Sequence, residues 1–390
     1  MSNDIEIHGF CEERFEPVKQ VFAEHFKTGQ DVGASFAVTI EGKYVVDMWA
    51  GYADAAKTRP WEKDTIINVF STTKNMTALC IHMLVDRGLI DLDAPVAKYW
   101  PEFGQAGKQK IPVRYLLSHT SGLAGYDEKI TVEDMYNWDY IVNMLAAQKP
   151  WWEPGTRSGY HTSSFGYLLG ELIRRVTGKT MGTFFREEVA NPLNIDFHVG
   201  FSEELDHRVA DLIPIKKSLL FRLMTSKLVT FLARKNIMVR SALNPVINAG
   251  NTHTREWRAA EIPASNGHGN ARSIARVGAI LACGGELDNV RILSKEAVEN
   301  SIVEQSYGKD LTLLKIARFG LGWALTCEEE PIGPNPRAFY WGGYGGSKLY
   351  MDLDARMSIA YAMNRMVFSL KGDPRGPNLR DAVYKVLYPE

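Results

Sequence analysis

Ser71 and Lys74 stand three residues apart at the start of a long apolar run, and these residue types at that spacing could form an acylating site. In a helix, residues i and i+3 lie on one face and one turn apart, so the hydroxyl and the amine come within hydrogen-bond reach. A lysine that is shielded from water at the positive end of a helix favours its neutral form, and a neutral amine can take the hydroxyl proton. The pair therefore predicts a serine nucleophile activated by a lysine.

A purely structural role is the alternative explanation for this pair. Serine is a preferred first residue of a helix, and a lysine three residues later can simply extend into solvent. The chain contains a second Ser-x-x-Lys, at Ser306 and Lys309, in a context typical of a loop, and we assign it no role. The four-residue pattern alone leaves both explanations open.

The run that carries the pair predicts a buried helix. Residues 71–87 contain no glycine or proline, residues 76–85 are apolar on nearly every face, and Gly88 supplies a left-handed stop. A helix of this kind belongs in the middle of a domain.

Composition excludes several classes of protein. The 390 residues are 45% hydrophobic and 23% charged with a formal net charge of -1, which indicates a globular protein, leaves room for two domains and gives no case for nucleic acid as a partner. The first eight residues lack both parts of a secretory signal, so we expect a cytoplasmic protein. The four cysteines are scattered without C-x-x-C spacing, and no disulfide framework, metal or cofactor is expected.

Apolar periodicity predicts the order of the elements. Helices are predicted over residues 12–26, 160–177, 273–283 and 379–387, and strands over 33–40, 44–51, 320–327, 337–341, 346–352 and 357–363. This order predicts an α/β (α+β) fold in which an antiparallel sheet is flanked by helices. Residues 1–70 and 270–390 would build the sheet domain, and residues 71–269 would form an inserted, mostly helical domain.

The segment 212–240 is apolar and basic, and no acidic residue occurs between Asp211 and Glu256. Such a segment can form a lid at the mouth of a site, or it can lie on an anionic membrane surface. We favour the lid, because charges interrupt the segment too often for it to span a bilayer. Peripheral membrane contact stays as the alternative.

Two further motifs follow the first one, Ser71-Thr72-Thr73-Lys74. They are Tyr160-His161-Thr162 at the opening of a predicted helix and Trp341-Gly342-Gly343 before a predicted strand. Together the three motifs resemble the serine β-lactamase and penicillin-binding-protein superfamily, and within it the family VIII carboxylesterases and class C β-lactamases. The resemblance spans most of the chain.

The resemblance implies acyl transfer through a covalent acyl-enzyme. Ser71 would attack an ester or amide carbonyl, Lys74 would take its proton or hold Tyr160 ionised, and Tyr160 would pass a proton to the leaving group. The backbone N–H groups of Ser71 and Tyr344 would form the oxyanion hole. Whether Lys74 or Tyr160 is the general base stays open, because the two coupled groups share the proton.

The motifs depart from those of the lactamases in ways that bear on the substrate. Relatives that hydrolyse β-lactams carry a lysine or histidine where this chain has Trp341, and an indole offers one donor and no charge. Thr162 replaces an asparagine of the second motif. The flat indole of Trp341 suits a neutral ester, and Tyr126 and Trp152 are predicted as additional aromatic residues of the pocket. The other predicted substrate contacts are the glycines that allow close approach of a ligand, Gly342 and Gly343, and the histidine of the second motif, His161.

These features predict a serine carboxylesterase that cleaves short-chain acyl esters, with weak β-lactam hydrolysis as a side activity and a small-molecule ester as its partner. A β-lactamase or D,D-peptidase is the first alternative, because it would share Ser71, Lys74 and Tyr160. A non-catalytic relative that serves as a binding or scaffold protein is the second. The natural ester and the oligomeric state stay open.

Overall fold

The computed structural model describes residues 5–215, 236–367 and 372–389 of the chain. Most of the predicted lid, residues 216–235, lies outside the described residues, so its role stays a prediction. Within the described residues, no helix is both long enough and apolar enough to cross a membrane.

One large antiparallel sheet organises the protein. In chain order the strands are β1 (Ile7–Cys11), β2 (Gly33–Ile40), β3 (Lys43–Gly51), β4 (Ile67–Asn68), β5 (Phe197–His198), β6 (His268–Gly269), β7 (Glu286–Leu287), β8 (Val290–Arg291), β9 (Ser306–Lys309), β10 (Ile316–Phe319), β11 (Ala324–Leu325), β12 (Ala338–Gly342), β13 (Lys348–Asp352) and β14 (Met357–Met363). Nine of these form the sheet in the order β1-β3-β2-β14-β13-β12-β11-β10-β9. The two ends of the chain meet where β14 pairs with β2, from Met357 opposite Ile40 to Met363 opposite Ala34.

Helices cover both faces of this sheet. In chain order they are α1 (Glu16–Lys27), α2 (Lys74–Asp86), α3 (Arg114–Leu117), α4 (Trp138–Ala147), α5 (Ser164–Thr177), α6 (Met181–Phe185), α7 (Asn191–Leu193), α8 (Ile237–Ala242), α9 (Arg255–Ala259), α10 (Ala271–Ala282), α11 (Lys295–Ser301) and α12 (Arg375–Leu387). Helix α10 packs on β2, β13 and β14, and α1 packs with α12 on the opposite face. The predicted fold, an antiparallel sheet flanked by helices, is confirmed.

Helix α2 is buried along almost its whole length and packs against α5, α6 and α11. A 3-10 helix over Phe70–Thr73 precedes it, so Ser71 lies in this tighter turn and not in the first turn of the α-helix. Phe70 has a φ of 44°, in the left-handed region, where a side chain of this size costs about 1–3 kcal/mol. Strain of this kind persists only where the surrounding structure holds it in place.

The structure corrects the sequence prediction in three places. The second Ser-x-x-Lys lies in strand β9 at the edge of the sheet, and because side chains alternate along a strand, Ser306 and Lys309 face opposite sides. Helix α5 begins at Ser164, so the second motif lies in the loop before it. The run 320–327 contributes only β11, because residues 320–323 form the turn between β10 and β11.

A buried ion cluster anchors the start of α12. Arg375 is fully buried and donates to Asp31 Oδ1 at 2.6 Å, and it also pairs with Asp373. The Tyr361 hydroxyl donates to the same Asp31 carboxylate at 2.6 Å. Arg375 further donates to the carbonyl oxygen of Gly345 at 3.1 Å. The cluster therefore ties α12 to the loop before β2 and to the turn after β12.

Replacing Arg375 by leucine is expected to lower the free energy of unfolding by about 3 kcal/mol or more, because Asp31 would keep a buried charge without its cation. Denaturant unfolding measures this loss. Arg291→Leu is the control, since Arg291 pairs with Glu286 at an exposed site and its removal should cost less than about 1 kcal/mol. Equal losses in the two variants would contradict the anchoring role of Arg375.

Candidate active site

The Ser71 hydroxyl and the Lys74 amine are in contact, and two backbone carbonyls hold the amine in place. Lys74 Nζ lies 3.1 Å from Ser71 Oγ, 2.7 Å from the carbonyl oxygen of Thr162 and 3.0 Å from the carbonyl oxygen of Ala264. The Lys74 side chain is completely buried. The Lys74 amine thus connects the first motif to the second motif and to the loop before β6.

Burial lowers the pKa of the Lys74 amine well below its usual range, because an ammonium at this position would lose its hydration. A neutral amine has two N–H donors and one lone pair. Lys74 Nζ is within donor distance of Ser71 Oγ and of both carbonyls; once the amine is neutral and the carbonyls of Thr162 and Ala264 accept its two N–H groups, its lone pair is available for the proton of Ser71. This is the arrangement of a base that activates a serine nucleophile.

Tyr160 also contacts the Lys74 amine, but through the face of its ring. Lys74 Nζ lies 4.8 Å from the ring centre. Trp341 Nε1–H donates to the Tyr160 hydroxyl at 3.3 Å, and the backbone N–H of Tyr160 donates to Asp310 Oδ1 at 3.1 Å. Burial raises the pKa of Tyr160, and the Ser71 and Trp341 side chains offset only part of this shift, so the phenol is held neutral.

A buried serine, Ser347, joins the loops that carry the two predicted oxyanion donors. Ser347 Oγ donates to the carbonyl oxygen of Val69 at 2.8 Å. Because its one proton is used there, it accepts from the Thr72 hydroxyl at 2.9 Å. Val69 and Thr72 flank Ser71, and Ser347 closes the turn that contains Tyr344. Within the described residues, the backbone N–H groups of Ser71 and Tyr344 donate no hydrogen bond to the protein, so both are available to a ligand.

Glycine at position 343 makes this close approach possible. A Cβ on Gly343 would lie 2.0 Å from the Val69 carbonyl oxygen, so any larger residue would push the turn away from the loop of the nucleophile. The rings of Phe70 and Tyr344 then meet edge to face with their centres 5.6 Å apart. This ring contact with Tyr344 helps to hold Phe70 in its left-handed backbone conformation.

Two predicted substrate contacts of the second motif are engaged in hydrogen bonds within the protein. The ring of His161 is fully buried, with Nδ1 2.7 Å from the Gly159 carbonyl oxygen and Nε2 2.7 Å from Ser121 Oγ. Burial lowers the pKa of His161 to about 4. The Thr162 hydroxyl lies 2.7 Å from Ser241 Oγ, and the carbonyl of Thr162 is the group that reaches Lys74.

The two predicted aromatic contacts lie in different surroundings. Tyr126 is 1% exposed within the hydrophobic core, and its hydroxyl accepts from Ser163 Oγ at 3.1 Å. Trp152 is partly exposed and lies over Gly159, where a Cβ would be 2.4 Å from the indole. Of the two, Trp152 is the one that borders the second motif at the protein surface.

Three residues that position the site were not predicted from the sequence: Ser241, Asp310 and Ser347. Ser241 and Asp310 lie 79 and 150 residues along the chain from their partners in the second motif, and no local pattern connects them. Ser347 directly follows Gly345 and Gly346, in the glycine-rich run that begins with the third motif, and that run was the signal that could have drawn attention to it.

Comparison with known proteins agrees with this geometry. The family model described as "Beta-lactamase" matches residues 18–384. The chain is 37% identical to "Esterase/beta-lactamase LipL" of Mycobacterium tuberculosis over 367 residues, which covers 93% of this chain and 84% of the relative.

Solved structures give the same result in three dimensions. A family VIII carboxylesterase superposes with a TM-score of 0.90 at 42% identity and covers 98% of this chain and 100% of its own. A penicillin-binding protein homologue from Caulobacter crescentus superposes with a TM-score of 0.87 at 36% identity. The match covers 98% of this chain and 100% of the homologue.

Lys74 is expected to make stability depend on pH in a defined direction. Its pKa is lowered in the folded protein, so between that value and 10.5 the unfolded chain binds a proton that the folded chain does not. Stability then rises with pH, by up to about 1.4 kcal/mol per pH unit within this window. Unfolding free energies of the wild type and Lys74→Met, measured from pH 7 to 10, should therefore diverge in favour of the wild type. A difference that stays constant with pH would show that Lys74 is charged in the folded protein.

Proposed function

The chain belongs to the beta-lactamase family of serine hydrolases, and we propose that it works as a carboxylesterase that cleaves short-chain acyl esters through an acyl-enzyme on Ser71. The observation that carries this proposal is the fully buried Lys74 amine, which lies 3.1 Å from Ser71 Oγ and is held there by the carbonyls of Thr162 and Ala264. The relatives that are named esterase and carboxylesterase support the substrate class.

The proposed reaction begins when Lys74 takes the proton of Ser71 and Oγ bonds to the ester carbonyl carbon. The carbonyl oxygen becomes an oxyanion between the N–H groups of Ser71 and Tyr344. The bond to the alcohol oxygen then breaks, and Tyr160 passes a proton to that oxygen. In the second half of the reaction, water attacks the acyl carbon and gives its proton to the ionised Tyr160. The bond to Ser71 Oγ then breaks, Lys74 returns its proton to Oγ, and the acid leaves with all three side chains restored. We assign the general base to Lys74, because burial favours its neutral form and disfavours the ionised form of Tyr160.

Weak β-lactam hydrolysis is a second candidate activity. Its support is the name of the Mycobacterium tuberculosis relative, which joins esterase and β-lactamase. Trp341 presents a single neutral donor, already directed at the Tyr160 hydroxyl, and so offers no charge to a β-lactam carboxylate. We therefore propose ester hydrolysis as the main activity.

Intact-protein mass spectrometry after exposure to p-nitrophenyl butyrate, an organophosphonate and a penicillin tests this assignment. The wild type is expected to turn the ester over quickly, to gain one phosphonate adduct and to keep little penicillin. Ser71→Ala should lose the adduct and the turnover. Ser306→Ala, which changes the serine of the second Ser-x-x-Lys, should behave as the wild type. Full esterase activity in pure Ser71→Ala protein, or faster turnover of penicillin than of esters, would refute the proposal.

Ser347→Ala is expected to lower kcat by about tenfold or more with little change in KM, because the two oxyanion donors would lose their common anchor while substrate binding is kept. Steady-state kinetics with p-nitrophenyl butyrate measures both constants. Ser358→Ala is a matched control: Ser358 Oγ also lies 2.8 Å from a threonine hydroxyl, that of Thr39, and also donates to a backbone carbonyl. A similar fall of kcat in both variants would mean that Ser347 acts only through general stability.

A further inference from the structure

A cavity of about 160 Å³ adjoins the proposed active site at Trp341. It is formed by the strands β10 to β13. Its lining includes Leu313, Lys315, Glu330, Tyr340, Gly342 and Lys348. Trp341 lines this cavity and at the same time donates to the Tyr160 hydroxyl. The cavity therefore lies beside the residue that contacts Tyr160, the group proposed to protonate the leaving alcohol. The proposed reaction steps assign no role to this cavity.

Lys348 supplies this cavity with an amine that has no direct partner among the described residues. Within the described residues, its amine forms neither a hydrogen bond nor an ion pair, and it lies 5.4 Å from the centre of the Tyr340 ring. The other charged groups of the cavity are paired: Lys315 with Glu330, and Arg318 with Glu304. Asp373, a further carboxylate whose charge acts on Lys348, is paired with Arg375.

The backbone is shaped to make room for this amine. Gly342 pairs with Lys348 across β12 and β13, so both residues face the same side of the sheet. A Cβ on Gly342 would lie 2.6 Å from Lys348 Cδ and 2.9 Å from its Nζ. Any larger residue at position 342 would therefore displace the amine from the cavity.

A cation of this kind is costly unless a counter-ion reaches it. Burial lowers the pKa of Lys348, and the positive charges of Lys315 and Arg380 act in the same direction, while the carboxylates of Glu330 and Asp373 oppose the shift. Lys348 is half-buried, so its ammonium loses only part of its hydration, and that loss is a cost as long as the amine is unpaired. An anionic group in the cavity would recover part of this cost through a charge-assisted hydrogen bond.

We propose that this cavity is a subsite for a carboxylate on the alcohol part of the ester, with Lys348 as its counter-ion. The proposal rests on the esterase function given above, in which Tyr160 protonates the leaving alcohol. Trp341 borders the cavity and also donates to the Tyr160 hydroxyl, so the alcohol part of the ester, which Tyr160 would protonate, is the part closest to the cavity. The substrate class is then an ester whose alcohol carries an acidic group.

Paired substrates that differ only in charge test this subsite. In 4-carboxyphenyl butyrate and 4-carbamoylphenyl butyrate the acyl group is the same, and a carboxylate is exchanged for a carboxamide of nearly equal size. Lys348→Met is expected to reduce kcat/KM for the carboxylate ester about tenfold more than for the carboxamide ester. Lys348→Arg should keep the preference of the wild type. Lys309→Met is the control for a general loss of charge, because Lys309 is exposed on β9, and it should leave the ratio unchanged.

Turnover of p-nitrophenyl butyrate separates failure of the subsite from failure of the function. A wild type that does not hydrolyse this ester would refute the esterase itself. A wild type that hydrolyses it, combined with an unchanged ratio of carboxylate to carboxamide turnover in Lys348→Met, would refute the subsite alone. An equal fall of the ratio in Lys309→Met would refute it as well, since the effect would then come from long-range charge.

Discussion

The burial of the Lys74 amine is the constraint on which the rest of the site depends. An unpaired ammonium in a fully buried position would cost several kcal/mol, and the protein meets this cost by favouring the neutral form and by satisfying its two donors with the carbonyls of Thr162 and Ala264. Those carbonyls belong to the loop before α5 and to the loop before β6. One side chain therefore fixes two distant loops against the start of α2. Among the residues that the structure describes, the remaining polar contact of the amine is the one to Ser71.

The second half of the site depends on a turn that two independent contacts hold. On one side Ser347 ties the turn to Val69 and Thr72, and on the other side Arg375 donates to the carbonyl of Gly345. The strained backbone of Phe70 is compatible with the fold because this turn packs directly against it. Donors that are held from both sides before a substrate arrives need no reorganisation when negative charge develops, which is the property that an oxyanion hole requires.

The sequence predicted those parts of the molecule whose signal is local. The buried helix that follows Ser71 and the central strands β2 and β14 are continuous, mostly apolar runs, and the structure confirms them. The edge strand β9 is short and its pattern resembles that of a loop, so it was missed. An aromatic residue in a sequence carries no sign of whether it will line a pocket or fill a core, as Tyr126 shows. Ser241 and Asp310 act through contacts with residues far along the chain, which only the tertiary structure reveals. The domain boundaries near residues 70 and 270 stay a prediction.

Because Trp341 is neutral, the pKa of the Lys74 base does not depend on whether the substrate carries a charge. A lysine there would bring a second ammonium close to Lys74, and each charge would lower the pKa of the other, so that binding an anion would alter the base. With the neutral indole in place, burial is the cause of the lowered pKa of Lys74. The positive charge lies instead at Lys348, which faces Gly342 on the adjacent strand. A carboxylate could then be bound at Lys348 without changing the pKa of Lys74, so the proton transfer from Ser71 to Lys74 would be unaffected.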